Sequence, residues 1–598
     1  MGNYVSQSID ESNIQQTTYD LDDMSKTALI SYIKNMDIKM LNVDENFVKL
    51  TKDIKLENEG LIQMGVELYE KMKSVVPEYK PDETKPVKKL FYVRPEFPLE
   101  NLINDVPNIV NPEKIYNTED LIAKKIIGPN NTKHNHDIIT LYEYNNAFKD
   151  ATTKKDMTGL SKKILSNISN YHKTRIINAY NKILLLQYDE NTSIGKSTFL
   201  YKQDKKGPKN ELKSYRQIIT IPTLINHFHR ILSIRMSEYL NANNYIDKTI
   251  QKGGIKGSKH PIFEQIYKVK NVIKDANKRK SKLCVLFLDI SNAFGNLNRD
   301  KILEILKEYH VDDKFLEYYK KHYENFTYYT KTKDWSEDNI KFKNGIIQGC
   351  PLSPVIFVTA LNYVLKYVDE KFKEKCGYNI NNSTKVLLSA YVDDICIMGN
   401  DEISVELVYN ELKTLLQKLG LPLNSNKSGL MKINCNDETT SFDNIPVIKG
   451  YKYLGEYLSC DGTTTKSFNQ FLAILGKKLF IIDVKTNTDV EKMKKYTQFI
   501  APWVQKKLLT LYDLSKNDKL KIARVIKKYT TKWNNQENLA IFALISDIVS
   551  ESTDDVIKTA DFGINDDEII NDNELINYRM DDLNDSMSYS EINAEPNV

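Results

Sequence analysis

The sequence predicts an α/β (α+β) protein, and three observations support this fold class. From about residue 155 to about residue 540, stretches with helical periodicity alternate with short β-rich runs. The run 283–289 is apolar until its final carboxylate, which is typical of a strand buried on both faces. The run 386–398 has apolar segments on either side of two adjacent acids, which predicts a β-hairpin with an acidic turn.

The predicted helices surround these strands. Asn298 is a suitable N-cap for a helix from Arg299 to about His310. Lysine-rich helical stretches follow at 469–512 and from 516 to about 548. The N-terminal part is predicted to be mostly helical after a disordered start, and a proline-rich linker at 77–86 places a boundary near residue 90.

Composition excludes several classes of protein. With 41% hydrophobic and 27% charged residues, the 598-residue chain has the balance of a soluble protein of several structural units. It contains neither a membrane-length apolar run nor a signal-peptide pattern, so we expect it to be intracellular, in nucleus or cytoplasm. The six cysteines include no C-x-x-C pair, which argues against disulfides and structural zinc.

Charge is distributed unevenly along the chain. Residues 551–598 contain 14 acidic and two basic residues, a balance of −12, whereas the whole chain carries +4, so the remainder carries +16. A basic body suits a polyanionic partner such as nucleic acid, although a solvated lysine-rich surface has the same composition. The acidic tail is predicted to be disordered or to bind a protein partner.

The N-terminus contains a candidate lipidation site. Gly2 is followed by Ser6 in the pattern of N-myristoylation. A match in so short a pattern also arises by chance, and a single acyl chain would give only weak membrane association.

Three carboxylates are the candidate reactive centre. Asp289 ends a buried strand, which is an unfavourable position for an unpaired charge. Asp393 and Asp394 repel each other unless cations lie nearby. Together the three could bind two Mg²⁺ (or Mn²⁺) ions, although an Asp-Asp pair taken alone is also common in ordinary turns.

Three motifs, in order, resemble those of reverse transcriptases. Tyr391-Val-Asp-Asp394 resembles the [YF]-x-D-D signature, and Asp289-Ile-Ser-Asn-Ala-Phe294 resembles the preceding D-x-x-x-A-F motif. Gly345-Ile-Ile-Gln-Gly-Cys-Pro-Leu-Ser-Pro354 is similar to the motif between them.

Shorter segments resemble the non-LTR retrotransposon (LINE-type) branch, and the resemblance extends over about 155–480. These segments are Tyr215-Arg-Gln-Ile218, Gln251-Lys-Gly-Gly254, Asn424-Ser-Asn-Lys-Ser428 and Tyr453-Leu-Gly455. Gln217 stands where proline is usual, Gly254 where an aromatic residue is usual, and Gly295 where many relatives have aspartate.

The resemblance implies a right-hand polymerase with fingers, palm and helical thumb. The predicted divisions are an N-terminal extension (1–90), a connecting region (91–154), fingers (155–280), a palm with the catalytic motifs (281–462, of which 299–347 is partly fingers), a thumb (463–548) and the acidic tail (549–598).

The resemblance also implies roles for individual residues. Asp289 and Asp393 would bind the metal ions, with Asp394 assisting and the Ile290 carbonyl completing the coordination. Phe294 would exclude the 2′-hydroxyl of a ribonucleotide, and Lys427 would protonate the departing pyrophosphate. Further candidates for nucleotide binding are Arg216, Lys213, Gln348 and Gly349.

The implied function is RNA-directed DNA polymerisation, which uses an RNA template, a DNA or RNA primer, dNTPs and divalent metal ions. The motifs do not specify the template, the priming mode, the oligomeric state or the role of residues 1–150. An RNA-dependent RNA polymerase or a template-independent nucleotidyltransferase remains an alternative, although Phe294 argues against ribonucleotides. An inactive, reverse-transcriptase-like nucleic-acid-binding or assembly protein is the third alternative.

Overall fold

The structure is a computed structural model of the chain. It describes residues 121–122, 127–148, 155–186, 193–202, 211–254, 260–331, 336–380, 384–435 and 441–533. The candidate lipidation site at Gly2, the N-terminal extension 1–90 and the acidic tail 549–598 lie outside these residues.

Helices make up much of the described chain. They are α1 (Leu141–Asn146), α2 (Lys162–Asn167), α3 (Asn170–Leu184), α4 (Thr223–Ala242), α5 (Pro261–Arg279), α6 (Ala293–Asn296), α7 (Arg299–Glu308), α8 (Asp313–Asn325), α9 (Ser353–Cys376), α10 (Glu402–Lys418), α11 (Thr465–Lys485), α12 (Asp489–Lys495), α13 (Ala501–Thr510) and α14 (Lys516–Trp533).

The strands are short and paired mostly with near neighbours in sequence. They are β1 (Ile194–Tyr201), β2 (Tyr215–Thr220), β3 (Leu283–Leu288), β4 (Thr327–Lys331), β5 (Ser336–Lys341), β6 (Tyr378–Ile380), β7 (Thr384–Val386), β8 (Leu388–Tyr391), β9 (Asp394–Gly399), β10 (Gly429–Ile433), β11 (Ser441–Phe442), β12 (Ile445–Pro446), β13 (Gly450–Tyr453) and β14 (Glu456–Ser459).

The chain forms two compact units. The first contains, among the described residues, 137–148, 155–186, 193–196 and 220–231, and the second contains the rest. The predicted fingers segment 155–280 is divided between them, so its assignment as one domain stays a prediction. In the first unit, the His227 ring stacks on Phe148 with 4.0 Å between ring centroids, and the Tyr180 hydroxyl donates to the Leu224 carbonyl at 2.8 Å.

A four-stranded antiparallel sheet in the order β10-β3-β9-β8 is the centre of the second unit. Every residue of β3 is buried, so both faces of this strand are covered. On one face, Leu283, Val285 and Phe287 share a core cluster with side chains of α5. Helix α10 contacts β9 and β3. The predicted buried strand and acidic hairpin are therefore confirmed as neighbours in one palm-like sheet.

Helices α11 to α14 form a separate cluster in the second unit. Their core includes Phe471, Leu479 and Ile526, and Trp533 closes it through a hydrogen bond from its indole nitrogen to Asp483 Oδ1 at 2.8 Å. The predicted thumb is thus helical over 465–533, its described part, and the α+β fold class is confirmed. None of the helices among the described residues is both long and apolar enough to cross a membrane.

Candidate active site

Asp289 is held at the end of β3 by a neighbouring segment. Its backbone nitrogen donates to Ser428 Oγ at 3.2 Å, and its backbone oxygen accepts from the Asn424 nitrogen at 2.8 Å. Both partners belong to the Asn424–Ser428 motif. Two motifs that lie far apart in sequence therefore fix the position of this carboxylate.

Asp393 and Asp394 lie at a two-residue hairpin turn between β8 and β9. Tyr391 pairs with Asp394, so Val392 and Asp393 are the two central turn residues. On the other side of β9, Leu288 pairs with Ile395. The next positions of that ladder are Asp289 and Asp394, whose side chains therefore occupy the same face of the sheet at neighbouring positions.

The carboxylates influence each other electrostatically. Burial raises the pKa of Asp393, and repulsion from Asp289 raises it further, whereas Arg216 lowers it. Burial and the charges of Asp393 and Asp289 raise the pKa of Asp394 to about 6. Three acids so close together are favourable in their charged form only when cations compensate them.

The donor set fits a hard divalent cation. Asp289 Oδ2 is buried and has no hydrogen-bond partner among the described residues, although Lys427 Nζ lies 3.3 Å away in an ion pair. Carboxylate oxygens are the ligands that Mg²⁺ prefers. Among the described residues, no three His, Cys, Asp or Glu side chains have the spacing of a bound metal ion.

A cavity of about 790 Å³ opens beside the acids. The predicted site residues that line it are Asp289, Ile290, Asp393, Phe294, Arg216, Gln348 and Lys427. Lys202 lies in the same wall, where burial and the positive charges of Lys427 and Arg216 lower its pKa. The cavity is therefore lined by two carboxylates, Asp289 and Asp393, and by three basic side chains, Lys202, Arg216 and Lys427.

Other predicted residues do not line the cavity. Asp394 and Gly349 lie just outside its lining, and Lys213 lies in a 3₁₀ turn (Leu212–Ser214) beside Arg216, with a side chain outside the described part. Gly349 has a φ of +128°, and a Cβ there would overlap the Ile219 carbonyl oxygen. Strand β2 is thus the neighbour that requires a glycine at position 349. The same strand binds Gln348, because the Ile219 nitrogen donates a hydrogen bond to the Gln348 oxygen at 2.9 Å.

Phe294 is a firmly supported wall of the cavity. Its ring stacks on the buried Phe357 with 5.1 Å between centroids and 6° between planes. The Ile346 nitrogen donates to the Phe294 carbonyl at 2.7 Å, which ties α6 to the Gly345–Pro354 motif. One face of the ring is thus packed while the side chain still reaches the cavity.

The motif analysis assigned no role to two residues that support the site, Tyr451 and Gln251. The Tyr451 hydroxyl donates to the Lys427 carbonyl at 2.9 Å, and its ring stacks on Phe287 at 4.4 Å. Gln251, which is fully buried, hydrogen-bonds to both backbone groups of Val392. The Gln251–Gly254 segment was recognised as a motif, but sequence alone did not show that it contacts the acidic turn.

An antiparallel sheet with three carboxylates at one end, beside a cavity that basic side chains also line, is consistent with the metal-dependent polymerases. Residues 204–458 match the family described as reverse transcriptase (RNA-dependent DNA polymerase). The chain therefore contains a reverse transcriptase domain over these residues.

The curated relatives are proteins of retrotransposable elements. The Retrovirus-related Pol polyprotein from type-2 retrotransposable element R2DM of Drosophila melanogaster is 24% identical over 282 residues, covering 44% of this chain and 25% of that protein. The Transposon TX1 uncharacterized 149 kDa protein of Xenopus laevis is 24% identical over 263 residues, covering 43% of this chain and 19% of that protein. The expected similarity to the non-LTR retrotransposon branch is confirmed, and the chain spans about a quarter or less of these relatives.

Among solved structures, the chain is similar to telomerase from Candida tropicalis in complex with a fragment of telomeric RNA. The identity is 13%, the TM-score is 0.36, and the match covers 69% of this chain and 71% of that one.

Proposed function

We propose that this chain is an RNA-directed DNA polymerase that adds dNTPs to the 3′-hydroxyl of a DNA or RNA primer on an RNA template. The observation that carries the proposal is the convergence of Asp289 with the Asp393–Asp394 turn beside a cavity that also presents Phe294 and Arg216. An intracellular location and a protein partner for the acidic tail are parts of the same proposal.

The acids would hold two divalent metal ions. Asp289 and Asp393 would be the principal ligands, with Asp394 and the Ile290 carbonyl completing the set. When bound, Mg²⁺ or Mn²⁺ would activate the primer hydroxyl and neutralise charge on the triphosphate. Two observations support this assignment: Asp289 Oδ2 is buried without a hydrogen-bond partner among the described residues, and the acids repel each other.

The remaining side chains would orient the nucleotide and the leaving group. Arg216 presents a guanidinium to the triphosphate, a geometry suited to paired phosphate oxygens. The Phe294 ring, packed on Phe357, would leave no room for a 2′-hydroxyl. Lys427 is near enough to the acids to donate a proton to the departing pyrophosphate, and Tyr451 fixes the backbone that carries it.

The test is primer extension on poly(rA)/oligo(dT) and on a DNA template, with dNTPs or rNTPs and with Mg²⁺ or Mn²⁺. We expect dNTP incorporation on RNA, and we expect Asp393→Ala to abolish it. Glu370→Ala, which removes an exposed carboxylate from α9, is the matched control and should retain activity. Preference for rNTPs, extension without a template, or full activity of Asp393→Ala would each contradict the proposal.

A further inference from the structure

We propose that Gln251 is a positioning residue of the active site, whose side-chain amide holds Val392 and thereby places Asp393 for metal binding. The inference rests on the proposed function, because it assigns a role within that same site. Gln251 lies far from the acids in sequence and is fully buried beside them.

The Gln251 amide pairs with the turn from two directions. Its Oε1 accepts from the Val392 nitrogen at 2.9 Å, and its Nε2 donates to the Val392 oxygen at 3.1 Å. The same Oε1 also accepts from the Gly253 nitrogen at 2.9 Å. Both groups that bind Oε1 are backbone N–H donors, so this atom must be the amide oxygen. The oxygen and nitrogen ends of the Gln251 amide are therefore assigned unambiguously.

The turn needs such support because its backbone is strained. Val392 has a φ of +56°, a left-handed conformation that is rare for a β-branched residue. Such conformations persist only when surrounding contacts enforce them. Gln251 satisfies both backbone polar groups of Val392, the residue immediately before Asp393.

The surrounding residues are arranged to bring Gln251 to the turn. A Cβ on Gly253 would overlap the Val392 nitrogen, so this glycine permits the close approach. Two backbone hydrogen bonds fix the segment 250–252 to β8. The Ala390 nitrogen donates to the Ile250 oxygen at 2.8 Å, and the Lys252 nitrogen donates to the Ala390 oxygen at 3.2 Å. Gln265 of α5 donates to the Ile250 and Ala390 carbonyls at 2.8 and 3.0 Å.

Asn243 provides a matched control. It is buried, and its amide also pairs with both backbone groups of one distant residue: Oδ1 accepts from the Thr132 nitrogen at 2.9 Å, and Nδ2 donates to the Thr132 oxygen at 3.2 Å. Neither Asn243 nor Thr132 lines the cavity. Gln251→Met and Asn243→Leu each remove such a pair of hydrogen bonds while nearly keeping the size of the side chain. If Gln251 only stabilises the fold, the two variants should behave alike in every measurement.

The experiment compares wild type, Gln251→Met and Asn243→Leu in four measurements. Mn²⁺ affinity of the free protein is followed by electron paramagnetic resonance. Hydrogen exchange is measured for the peptide that contains the turn, and the single-turnover rate is measured at saturating dNTP. Thermal unfolding measures how much stability each variant loses relative to the wild type.

For Gln251→Met we expect faster exchange at the turn and Mn²⁺ affinity weaker by about 10–100-fold, the usual effect of removing a group that orients a metal ligand. The single-turnover rate should fall while the Kd for dNTP stays nearly constant. Asn243→Leu should lose comparable thermal stability, whereas its Mn²⁺ affinity and its exchange at the turn should change much less. Equal effects of the two substitutions, or wild-type Mn²⁺ affinity and exchange in Gln251→Met, would overturn the inference.

Two further variants keep the test decisive if Gln251→Met does not fold. Gly253→Ala should displace the turn from the same side and weaken Mn²⁺ binding, and an unchanged affinity would count against the inference. Val392→Gly removes the strain, so it should reduce the effect of Gln251→Met in the double variant. If the wild type shows no polymerase activity, the proposed function fails, whereas Mn²⁺ binding and exchange still decide the role of Gln251.

Discussion

Replacing His322 by phenylalanine should make the protein less sensitive to acid. His322 lies in α8, 2% exposed, with its ring stacked on Tyr318 at 5.9 Å and edge-on to Phe326. Burial, and secondarily the positive charge of Arg299, lower its pKa to about 3. The helix matters to the site because the Tyr323 hydroxyl accepts from the Ile347 nitrogen at 3.1 Å, one residue before Gln348.

The size of the effect follows from the pKa difference. The unfolded chain has a histidine pKa near 6.5, so between pH 6.5 and about 3 the unfolded state binds more protons than the folded state. The stability that the neutral imidazole contributes is therefore lost as the pH falls through this window. Relative to pH 7.5, the loss from His322 is about 1 kcal/mol at pH 5.5 and about 3 kcal/mol at pH 4.5.

The assay is urea unfolding of the wild type and His322→Phe at pH 7.5, 5.5 and 4.5. The free energy of unfolding should fall more steeply with acid in the wild type, by these amounts, because all other titrating groups are common to both proteins. Phenylalanine keeps an aromatic ring among Tyr318, Tyr323 and Phe326, so the comparison does not depend on a cavity. Identical pH dependence in the two proteins would refute the reasoning.

Four further outcomes follow from contacts at the site and beneath the thumb. Phe294→Ala should increase rNTP incorporation relative to dNTP in single-nucleotide extension, and an unchanged ratio would remove Phe294 from sugar selection. Lys427→Ala should lower kcat without weakening Mn²⁺ binding, because the ammonium competes with cations for Asp289 Oδ2; weaker binding would contradict this. The buried ammonium of Lys270 lies 2.5 Å from the Asp513 carboxylate, so Asp513→Ala leaves it without this ion pair. The substitution should lower the free energy of unfolding by about 3–5 kcal/mol, and adding Lys270→Met should recover part of this loss. Gly349→Ala should destabilise the protein by roughly 1–3 kcal/mol, and a wild-type melting temperature would show that the loop tolerates a Cβ.

Much of the palm could be predicted from sequence because its signals are local. The apolar run ending at Asp289 and the two apolar segments around Asp393–Asp394 specify strands by composition alone. Asn298 was predicted to cap α7, and its side chain accepts from the Asp300 nitrogen at 2.9 Å. The order of the motifs then suggested which strands would be neighbours.

The contacts that support the site could not be predicted, because they join segments far apart in sequence. Gln251 lies 141 residues from Val392, and no local pattern indicates that its amide binds that turn. Gly349 was predicted as a nucleotide-binding residue, and sequence alone did not show that a Cβ there would overlap the Ile219 carbonyl oxygen. A glycine indicates a close approach, but sequence does not identify the group that approaches.

The covering of β8 by the segment around Gln251 also bears on self-association. Exposed strand edges have unpaired N–H and C=O groups that can bind a strand of another chain. In the palm sheet, Gln251 bridges to Ala390 on the β8 edge, and Val447 bridges to Leu430 on the β10 edge. Both outer strands of this sheet are thus partly covered by non-strand segments of the chain itself. These contacts protect the palm sheet against edge-to-edge aggregation.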